Sequence, residues 1–258
     1  MTKSTTHGWL EGYPLERGVY LLSPPSSFED VYGRVRKAER RILTDEEVAM
    51  LPVGDGLWNA EEWRIRARGA NRLIRELARS GTPQRILEVG CGNGWLTALL
   101  QQNGHDVIGM DVFTEELEQA ARVFASATFI RADLFTSELP KDNFDVIVFA
   151  ASFQYFAEPV RVLERCVELL TEVGVVHILD TILYPSPAAA KAALIRSEAY
   201  YEQLGFPEMS ASYHAHTLDT IKAFAHTRVL STPNGMDRTL ARFGRTASPF
   251  THVVVEPQ

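Results

Sequence analysis

Short apolar runs alternate with stretches of helical spacing over most of the chain. In many intervening stretches, apolar residues recur every three or four positions, which is typical of amphipathic helices. Strands separated by helices predict an α/β fold with a mostly parallel sheet. The last two strands predict a hairpin, joined by a loop and helical stretch at residues 232–244. The runs that predict strands are residues 86–89, 105–110, 128–131, 144–149, 175–180, 227–230 and 251–255.

An N-terminal extension, residues 1–80, precedes this alternation. Its apolar spacing predicts helices within residues 28–43 and 58–80, and Gly81 and Pro83 end the second of them. We therefore expect a mainly helical extension in front of the first strand of the sheet.

The α/β domain itself occupies residues 81–258. After its fifth strand, residues 181–225 depart from the simple alternation and predict a cap insertion with helices at residues 188–204 and about 219–224. In open α/β sheets, ligands bind outside the carboxyl ends of the strands. Residues that follow the strands directly are therefore the candidates for a functional site.

The first strand runs into a glycine-rich turn. Gly90, Gly92 and Gly94 stand at every second position, and Trp95 begins an apolar-periodic helical run. Glycine lacks the Cβ atom that would hold a ligand away from the backbone, and it permits positive φ. A helix start also leaves free N–H groups. The turn is thus built to contact a ligand. Trp95 excludes a phosphate-binding P-loop, and the early third glycine weakens a dinucleotide fingerprint.

Acidic residues mark the ends of the neighbouring strands. Glu88 lies two positions before the glycine turn, Asp111 ends the second strand and Asp133 follows the third. A carboxylate at a strand's carboxyl end can accept both hydroxyls of a ribose, which is the role that we assign to Asp111. The fourth strand, residues 144–149, carries an Asp-x-apolar pattern. Together these four motifs resemble the class I S-adenosylmethionine (SAM) dependent methyltransferases.

The resemblance implies SAM as the cofactor. It also implies a Rossmann-like, seven-stranded, mostly parallel sheet with an antiparallel last strand and helices on both faces. Residues 81–258 would be the methyltransferase domain, residues 1–80 would cover the cofactor pocket, and Asp133 would meet the adenine amino group. The residues that we assign to the cofactor are Glu88, Gly90, Cys91, Gly92, Asn93, Gly94, Asp111, Val112, Asp133, Leu134, Ala150 and Phe153.

Methyl transfer requires that two reactants be placed together, and a hydroxyl acceptor would also benefit from a general base. Histidine suits that work near neutral pH. His214 and His216 lie in the inserted region that would face the acceptor, and Tyr155 follows the fourth strand at the substrate edge. We take these three residues as catalytic candidates. A surface or packing role for either histidine stays open.

The residues that are missing narrow the acceptor. The stretch at 150–153 is Ala-Ala-Ser-Phe, which differs from the Asn/Asp-Pro-Pro-aromatic motif of amino-group methylation. There is no Pro-Cys pair for cytosine methylation, and no carboxylate cluster resembles a magnesium site. We therefore expect transfer to an O, N or C atom of a small-molecule acceptor, with no metal.

Three alternatives stay open. An RNA or protein methyltransferase would use the basic run at residues 34–41, or the arginines at 64–79, on phosphates. The simpler interpretation is that both sets lie on solvated helix faces. A SAM-binding, non-catalytic partner subunit would keep the fold without turnover. A NAD-dependent oxidoreductase is a more distant possibility.

Composition favours a small-molecule enzyme of the cytoplasm. The formal net charge is −7 and the isoelectric point is about 5.6, which argues against a nucleic-acid partner. The two cysteines stand far apart and signal neither a disulfide nor a zinc site. No apolar run approaches membrane-spanning length, and no apolar leader stands at the start. We therefore expect a cytoplasmic protein with no membrane partner. A homodimer stays open as an assembly.

Overall fold

The computed structural model describes residues 7–233 and 248–257. The strands are β1 (Leu15–Glu16), β2 (Val19–Leu21), β3 (Arg85–Val89), β4 (Asp106–Asp111), β5 (Thr128–Arg131), β6 (Phe144–Ala150), β7 (Leu170–Thr181), β8 (Leu183–Tyr184), β9 (His216–Thr217), β10 (His226–Ser231) and β11 (Thr251–Glu256). The helices are α1 (Phe28–Ala38), α2 (Asp45–Ala49), α3 (Ala60–Leu77), α4 (Trp95–Gln102), α5 (Thr114–Val123), α6 (Pro159–Leu169), α7 (Pro187–Leu204) and α8 (Leu218–Phe224). The helical stretch predicted at residues 232–244 lies almost entirely outside the described residues.

The main sheet has the strand order β1-β2-β5-β4-β3-β6-β7-β11-β10. Strands β2 to β7 pair in parallel, whereas β11 runs antiparallel to both β7 and β10. The predicted Rossmann-like sheet with an antiparallel last strand is confirmed as the seven strands from β5 to β10. Because β3 lies in the middle with β4 and β6 beside it, its carboxyl end opens into the crevice of the sheet.

The N-terminal extension differs from the predicted, mainly helical segment, because a β-hairpin precedes its first α-helix. Val19 in β2 pairs with Phe129 of β5, so the hairpin adds two short strands to the edge of the sheet. Gly18 turns between these strands at φ +85°. Strands of two and three residues surrounded by Gly and Pro carry too little apolar alternation to be visible in the sequence.

The core has two layers, one on each face of the sheet. In β3, Leu87 and Val89 pack into one cluster with residues of β6 and α6, while Ile86 packs into another with residues of α3 and α4. Alternate strand residues point to opposite faces, and a large apolar side chain contributes about 1.5–3 kcal/mol on full burial. The two layers therefore fix the carboxyl ends of the strands as a rigid platform.

The cap insertion lies against the N-terminal extension. Helix α7 ends at Gly205, which has φ +86°, and the chain then forms a short 3₁₀ turn before β9. Val35 of α1 shares an apolar cluster with Tyr201 and Met209 of the cap. Because the two outlying segments meet there, they form a roof over the crevice.

Candidate active site

The glycine turn brings its backbone close to two neighbouring segments. Gly90 has φ +76°, and a Cβ atom there would lie 2.4 Å from the Cβ atom of Ser152. Gly92 has φ +52° and donates its backbone N–H to Oδ2 of Asp111 at 2.8 Å. A side chain at Gly90 or Gly92 would be both strained and obstructed. The turn therefore ties the end of β3 to the end of β4.

Asp111 is held rigidly at the end of β4. Its Oδ1 accepts the N–H groups of Val112 at 2.7 Å and Phe113 at 2.9 Å, in addition to the Gly92 bond on Oδ2. Burial raises the pKa of Asp111 to about 6, although these backbone bonds act in the opposite direction. Both lone pairs of Oδ1 are thus in use, but Oδ2 accepts only the Gly92 bond and keeps one lone pair for a ligand hydroxyl.

Glu88 lies beneath the glycine turn and is almost fully buried. Its carboxyl group accepts a hydrogen bond from Oγ1 of Thr97 in α4. Burial raises the pKa of Glu88 to about 8, opposed by the Thr97 hydrogen bond and assisted by the nearby charge of Asp111. The carboxyl group is therefore largely protonated at neutral pH, which lets it donate as well as accept a hydrogen bond.

A cavity of about 420 Å³ opens beside the ends of β4 and β5. Its walls include Val112 and Leu134, together with the carboxylates Asp111 and Asp133. Oδ1 of Asp133 accepts the N–H groups of Phe135 and Thr136, each at 2.9 Å, which fixes the carboxylate at the cavity wall. We refer to this space as the smaller cavity.

A second cavity, of about 550 Å³, lies on the other side of the glycine turn and is called the larger cavity below. The extension contributes residues of α1 and α3 to its lining, and the cap contributes residues of α7 and of the turn that follows. The residues that line both cavities are Tyr32, Gly90, Gly92, Ala151 and Tyr155. The two spaces therefore meet at the glycine turn and at the residue that follows β6.

Ion pairs line the larger cavity. Arg36 of α1 donates to Oε1 of Glu116 at 2.7 Å, and Oε1 of Glu62 accepts from Arg41 at 2.9 Å and from Arg66 at 2.8 Å. Burial opposes the ionisation of Glu62, but the two guanidinium groups outweigh it and lower the pKa to about 2. The interpretation of both arginine sets as solvated is wrong for these three arginines, because each has a carboxylate partner inside the site.

The cofactor candidates fall on both sides of the junction. Asp111, Val112, Asp133 and Leu134 line the smaller cavity. The remaining lining residues among the candidates adjoin the larger cavity, and they are Glu88, Gly90, Cys91, Gly92, Asn93 and Ala150.

Two cofactor candidates lie away from both cavities. Gly94 caps α4, where a Cβ atom would lie 2.6 Å from the ring of Phe129. Phe153 is fully buried and packs on Phe149 in the core, so the expected contact between Phe153 and the cofactor is replaced by a packing role. An apolar residue just after a strand gave no sequence signal that could separate these two roles.

The catalytic candidates are not brought together on the acceptor side. Tyr155 lines both cavities. His214 lines the smaller cavity, and its backbone N–H donates to the carbonyl oxygen of Gln154 at 2.8 Å. His216 lines neither cavity, because its Nε2 is bonded to the carbonyl oxygen of Phe156 at 2.9 Å and its ring packs on Phe153. The expectation that both histidines face the acceptor is therefore corrected.

Further lining residues follow β6, lie near the end of β7 or belong to α3, and of these Asp180 and Trp63 were not singled out from the sequence as site residues. Gln154 donates from Nε2 to the carbonyl oxygen of Ala151 at 2.6 Å and accepts from Oγ1 of Thr181 at 3.0 Å, which joins the ends of β6 and β7. Asp180 and Trp63 also line the larger cavity. A helix in front of the first strand was expected over the pocket, but nothing in the sequence indicated which of its polar residues turn inward.

Part of the chain is similar to known methyltransferases. A family model described as a methyltransferase domain matches residues 87–178. An uncharacterized methyltransferase of Mycobacterium tuberculosis is 33% identical over 116 residues, which is 44% of this chain and 58% of that protein. A ubiquinone biosynthesis O-methyltransferase of Psychrobacter arcticus is 30% identical over 107 residues, covering 38% of this chain and 41% of that protein.

Among solved structures, a SAM-dependent methyltransferase from Mesorhizobium loti superposes with a TM-score of 0.55 at 19% identity, over 79% of this chain and 99% of that one. Residues 87–178 thus match a methyltransferase domain, and the fold around them is similar to that of a SAM-dependent methyltransferase, in line with the resemblance of the sequence motifs. The chain spans about half the length of the curated relatives that it matches.

Two further observations, on metal-binding groups and on membrane-spanning helices, concern residues 7–233 and 248–257. No group of three or more His, Cys, Asp or Glu side chains in these ranges is arranged to hold a metal ion. None of the helices described there combines the length and the apolarity needed to cross a membrane.

Proposed function

We propose that this protein transfers a methyl group from SAM to a small-molecule acceptor. In this proposal the adenosine half of SAM occupies the smaller cavity, the methyl group lies at the glycine turn, and the acceptor occupies the larger cavity. The observation that carries the proposal is that the two cavities share Gly90, Gly92 and Ala151 at their junction. A donor and an acceptor bound on the two sides would meet at these residues.

The residues present fit SAM. Gly90 and Gly92 line both cavities, and because they have no side chains they expose the backbone of the turn to a ligand. Oδ2 of Asp111 would accept a ribose hydroxyl, and Asp133 would accept a hydrogen bond from the adenine amino group. When bound, SAM supplies a methyl group activated by its sulfonium. The protonated carboxyl of Glu88 adds no full negative charge beneath the turn at neutral pH.

The protein's own contribution would be placement and exclusion of water. Holding two reactants in line can supply much of the rate of a displacement reaction. The roof formed by the extension and the cap supplies walls on the acceptor side of the junction. The inward arginines Arg36, Arg41 and Arg66 are paired with carboxylates, which favours a small acceptor over a polyphosphate such as RNA. The O-methyltransferase relative makes a hydroxyl acceptor a reasonable first choice.

Calorimetric titration with SAM tests this proposal. Wild-type protein is expected to bind SAM, and Asp111→Ala is expected to lose about 1.5–3 kcal/mol, or roughly 10- to 150-fold in affinity, because a charged hydrogen-bond acceptor is removed. Asp219→Ala is the matched control, since Asp219 is exposed on α8 and lines neither cavity. Absence of SAM binding to the wild type would contradict the proposal, and so would equal binding by both variants.

A further inference from the structure

Asp180 is a buried carboxylate without a hydrogen bond or ion pair among the described residues. It follows Leu179 near the carboxyl end of β7, lines the larger cavity and is only 7% exposed. Its backbone has φ +53°, an uncommon conformation for a residue with a side chain. A buried charge is normally paired or hydrogen-bonded, so an unpartnered carboxylate in a cavity wall indicates a ligand-binding role.

The neighbouring helix leaves room for this carboxylate. Gly69 of α3 faces Asp180, and a Cβ atom at that position would lie 2.9 Å from Oδ1 of Asp180. Glycine in a helix interior is unfavourable relative to alanine. The close approach of the Asp180 side chain gives that glycine a physical reason.

Asp180 also stands next to the junction of the two cavities. The carbonyl oxygen of Leu179 accepts the N–H of Ala151 at 3.0 Å, and Ala151 lines both cavities. Asp180 is the next residue after Leu179, whose carbonyl group contacts Ala151 at the junction where the methyl group of SAM would lie. A group bound to this carboxylate would be close to the donor.

Charged groups surround Asp180 without neutralising it by contact. Burial raises its pKa to about 6, while the charges of Arg66 and Arg72 lower it and that of Glu62 raises it. Arg66 itself is paired with Glu62. Asp180 also lines a hollow of about 30 Å³, together with Arg68, Arg72 and His252. At neutral pH the carboxylate is mainly ionised and can accept a proton.

The rest of the larger cavity is aromatic. Six of the eight tyrosines in the chain line it: Tyr32, Tyr155, Tyr184, Tyr200, Tyr201 and Tyr213. The rings of Tyr155 and Tyr213 meet edge to face with their centroids 6.1 Å apart. Burial raises the pKa of Tyr213 to about 12, so its hydroxyl stays protonated. Such walls suit a planar aromatic ligand, because ring faces and edges pack well together.

We propose that the methyl acceptor is an aromatic hydroxyl and that Asp180 is the general base that takes its proton. This inference rests on the proposed function and deepens it. The acceptor oxygen forms the new bond to the methyl carbon, and the methyl–sulfur bond breaks with its electron pair left on sulfur. The hydroxyl proton moves to the Asp180 carboxylate and from there to solvent, so charge and atoms balance.

An amine acceptor fits the same carboxylate less well. An adjacent negative charge stabilises an ammonium ion and raises its pKa, which keeps the nitrogen lone pair protonated and unreactive. The same charge accepts the hydrogen of a hydroxyl and makes its oxygen a better nucleophile. The unpartnered carboxylate therefore favours oxygen over nitrogen as the methylated atom.

The test uses the full chain saturated with S-adenosylhomocysteine, with 4-nitrophenol as the probe, since its phenol and phenolate forms absorb at different wavelengths. A carboxylate that shares a proton with the probe raises the pKa of the bound phenol. We expect the wild type to raise it by at least about one unit and Asp180→Asn to abolish that rise. Asparagine tolerates positive φ, so this variant should fold. Asp219→Asn is the control and should behave as the wild type.

A second readout is transfer of labelled methyl to 4-nitrophenol. Asp180→Asn is expected to lower kcat about 100-fold or more with unchanged affinity for SAM, as for the loss of a general base. Equal probe pKa values in wild type and Asp180→Asn would overturn the role of Asp180. Tighter binding of 4-nitrobenzylamine than of 4-nitrophenol would overturn the acceptor class, as would no binding of 4-nitrophenol at millimolar concentration. If S-adenosylhomocysteine itself does not bind, the proposed function fails instead.

Discussion

The two cavities that meet at the glycine turn are built in different ways. Most of the smaller cavity is formed where strands of the sheet end, and its carboxylates Asp111 and Asp133 are fixed by backbone N–H groups. Much of the larger cavity is formed by long side chains of the extension and the cap, held by ion pairs such as Glu62 with Arg41 and Arg66. Backbone geometry thus controls one side, and charge pairing controls the other.

This difference teaches how each side can vary. A wall made of strand ends is rigid, because any change in it disturbs the packed sheet. A wall made of paired side chains from outlying segments can be changed without moving the sheet. The cofactor side is therefore suited to a ligand that stays the same, and the acceptor side can be adapted to a particular substrate.

The largest expected effect concerns acid. His177 and His252 lie behind the wall formed by Asp180, joined Nδ1 to Nε2 at 3.0 Å, and burial lowers the pKa of each to about 3. Both are neutral when folded, whereas in the unfolded chain they take protons below about pH 6.5. Their stabilising contribution is thus present above pH 6.5 and is lost as the pH falls. At pH 5 this loss amounts to about 4 kcal/mol for the pair.

Urea unfolding at pH 7 and pH 5 measures that loss. The double variant His177→Val/His252→Val should lose about 4 kcal/mol less than the wild type over this interval, whatever its absolute stability. Glu88 and Asp111 act in the opposite direction on the cofactor side, because their raised pKa values make folding more favourable as the pH falls. An unchanged pH dependence in the double variant would contradict the account.

The next effect tests backbone control of the cofactor side. Gly90→Ala should lower SAM affinity by roughly 100-fold, because a positive φ costs about 1–2 kcal/mol and the new Cβ atom would meet Ser152. Gly104→Ala is matched to it, since Gly104 has φ +91° with nothing within 4 Å of a Cβ atom. Calorimetry should show normal SAM binding by Gly104→Ala. Similar SAM affinities for the two variants would remove the special role of the turn.

The smallest effect tests charge control of the acceptor side. Glu62→Gln should cost about 1–2 kcal/mol of stability, because two guanidinium groups lose a carboxylate that remains partly accessible to water. Its contribution is present above the ordinary pKa of a glutamate and is lost as the pH falls towards 2. SAM affinity should stay within about twofold, which is within the range of surface substitutions. A large loss of SAM affinity in Glu62→Gln would show that the two sides are not independent.

The same contrast explains how much could be predicted from the sequence. The motifs from Glu88 to Leu134 form one nearly continuous segment of strands and turns, where local rules determine which residues reach the crevice. Three of the predicted parallel strands and most of the cofactor candidates belong to that segment. Phe153 was misassigned because an apolar residue after a strand can face a ligand or the core, and only packing decides between them.

The acceptor side could not be predicted in the same way. Its residues come from helix α1, helix α3, the end of β7 and the cap, which are far apart in the chain. Arg36 and Arg66 look like members of solvated basic faces until their carboxylate partners are located in space. His216 looked like a candidate base, but the carbonyl oxygen of Phe156 occupies its Nε2. Such pairings depend on tertiary structure and leave no local signal.

A crystal structure of the protein with S-adenosylhomocysteine would show directly where the cofactor binds. We expect adenosine in the smaller cavity, with a ribose hydroxyl on Asp111 and the adenine amino group on Asp133. The sulfur should lie between Gly90 and Ala151 and face the larger cavity. Adenosine bound in the larger cavity, or a sulfur turned away from the junction, would contradict the account.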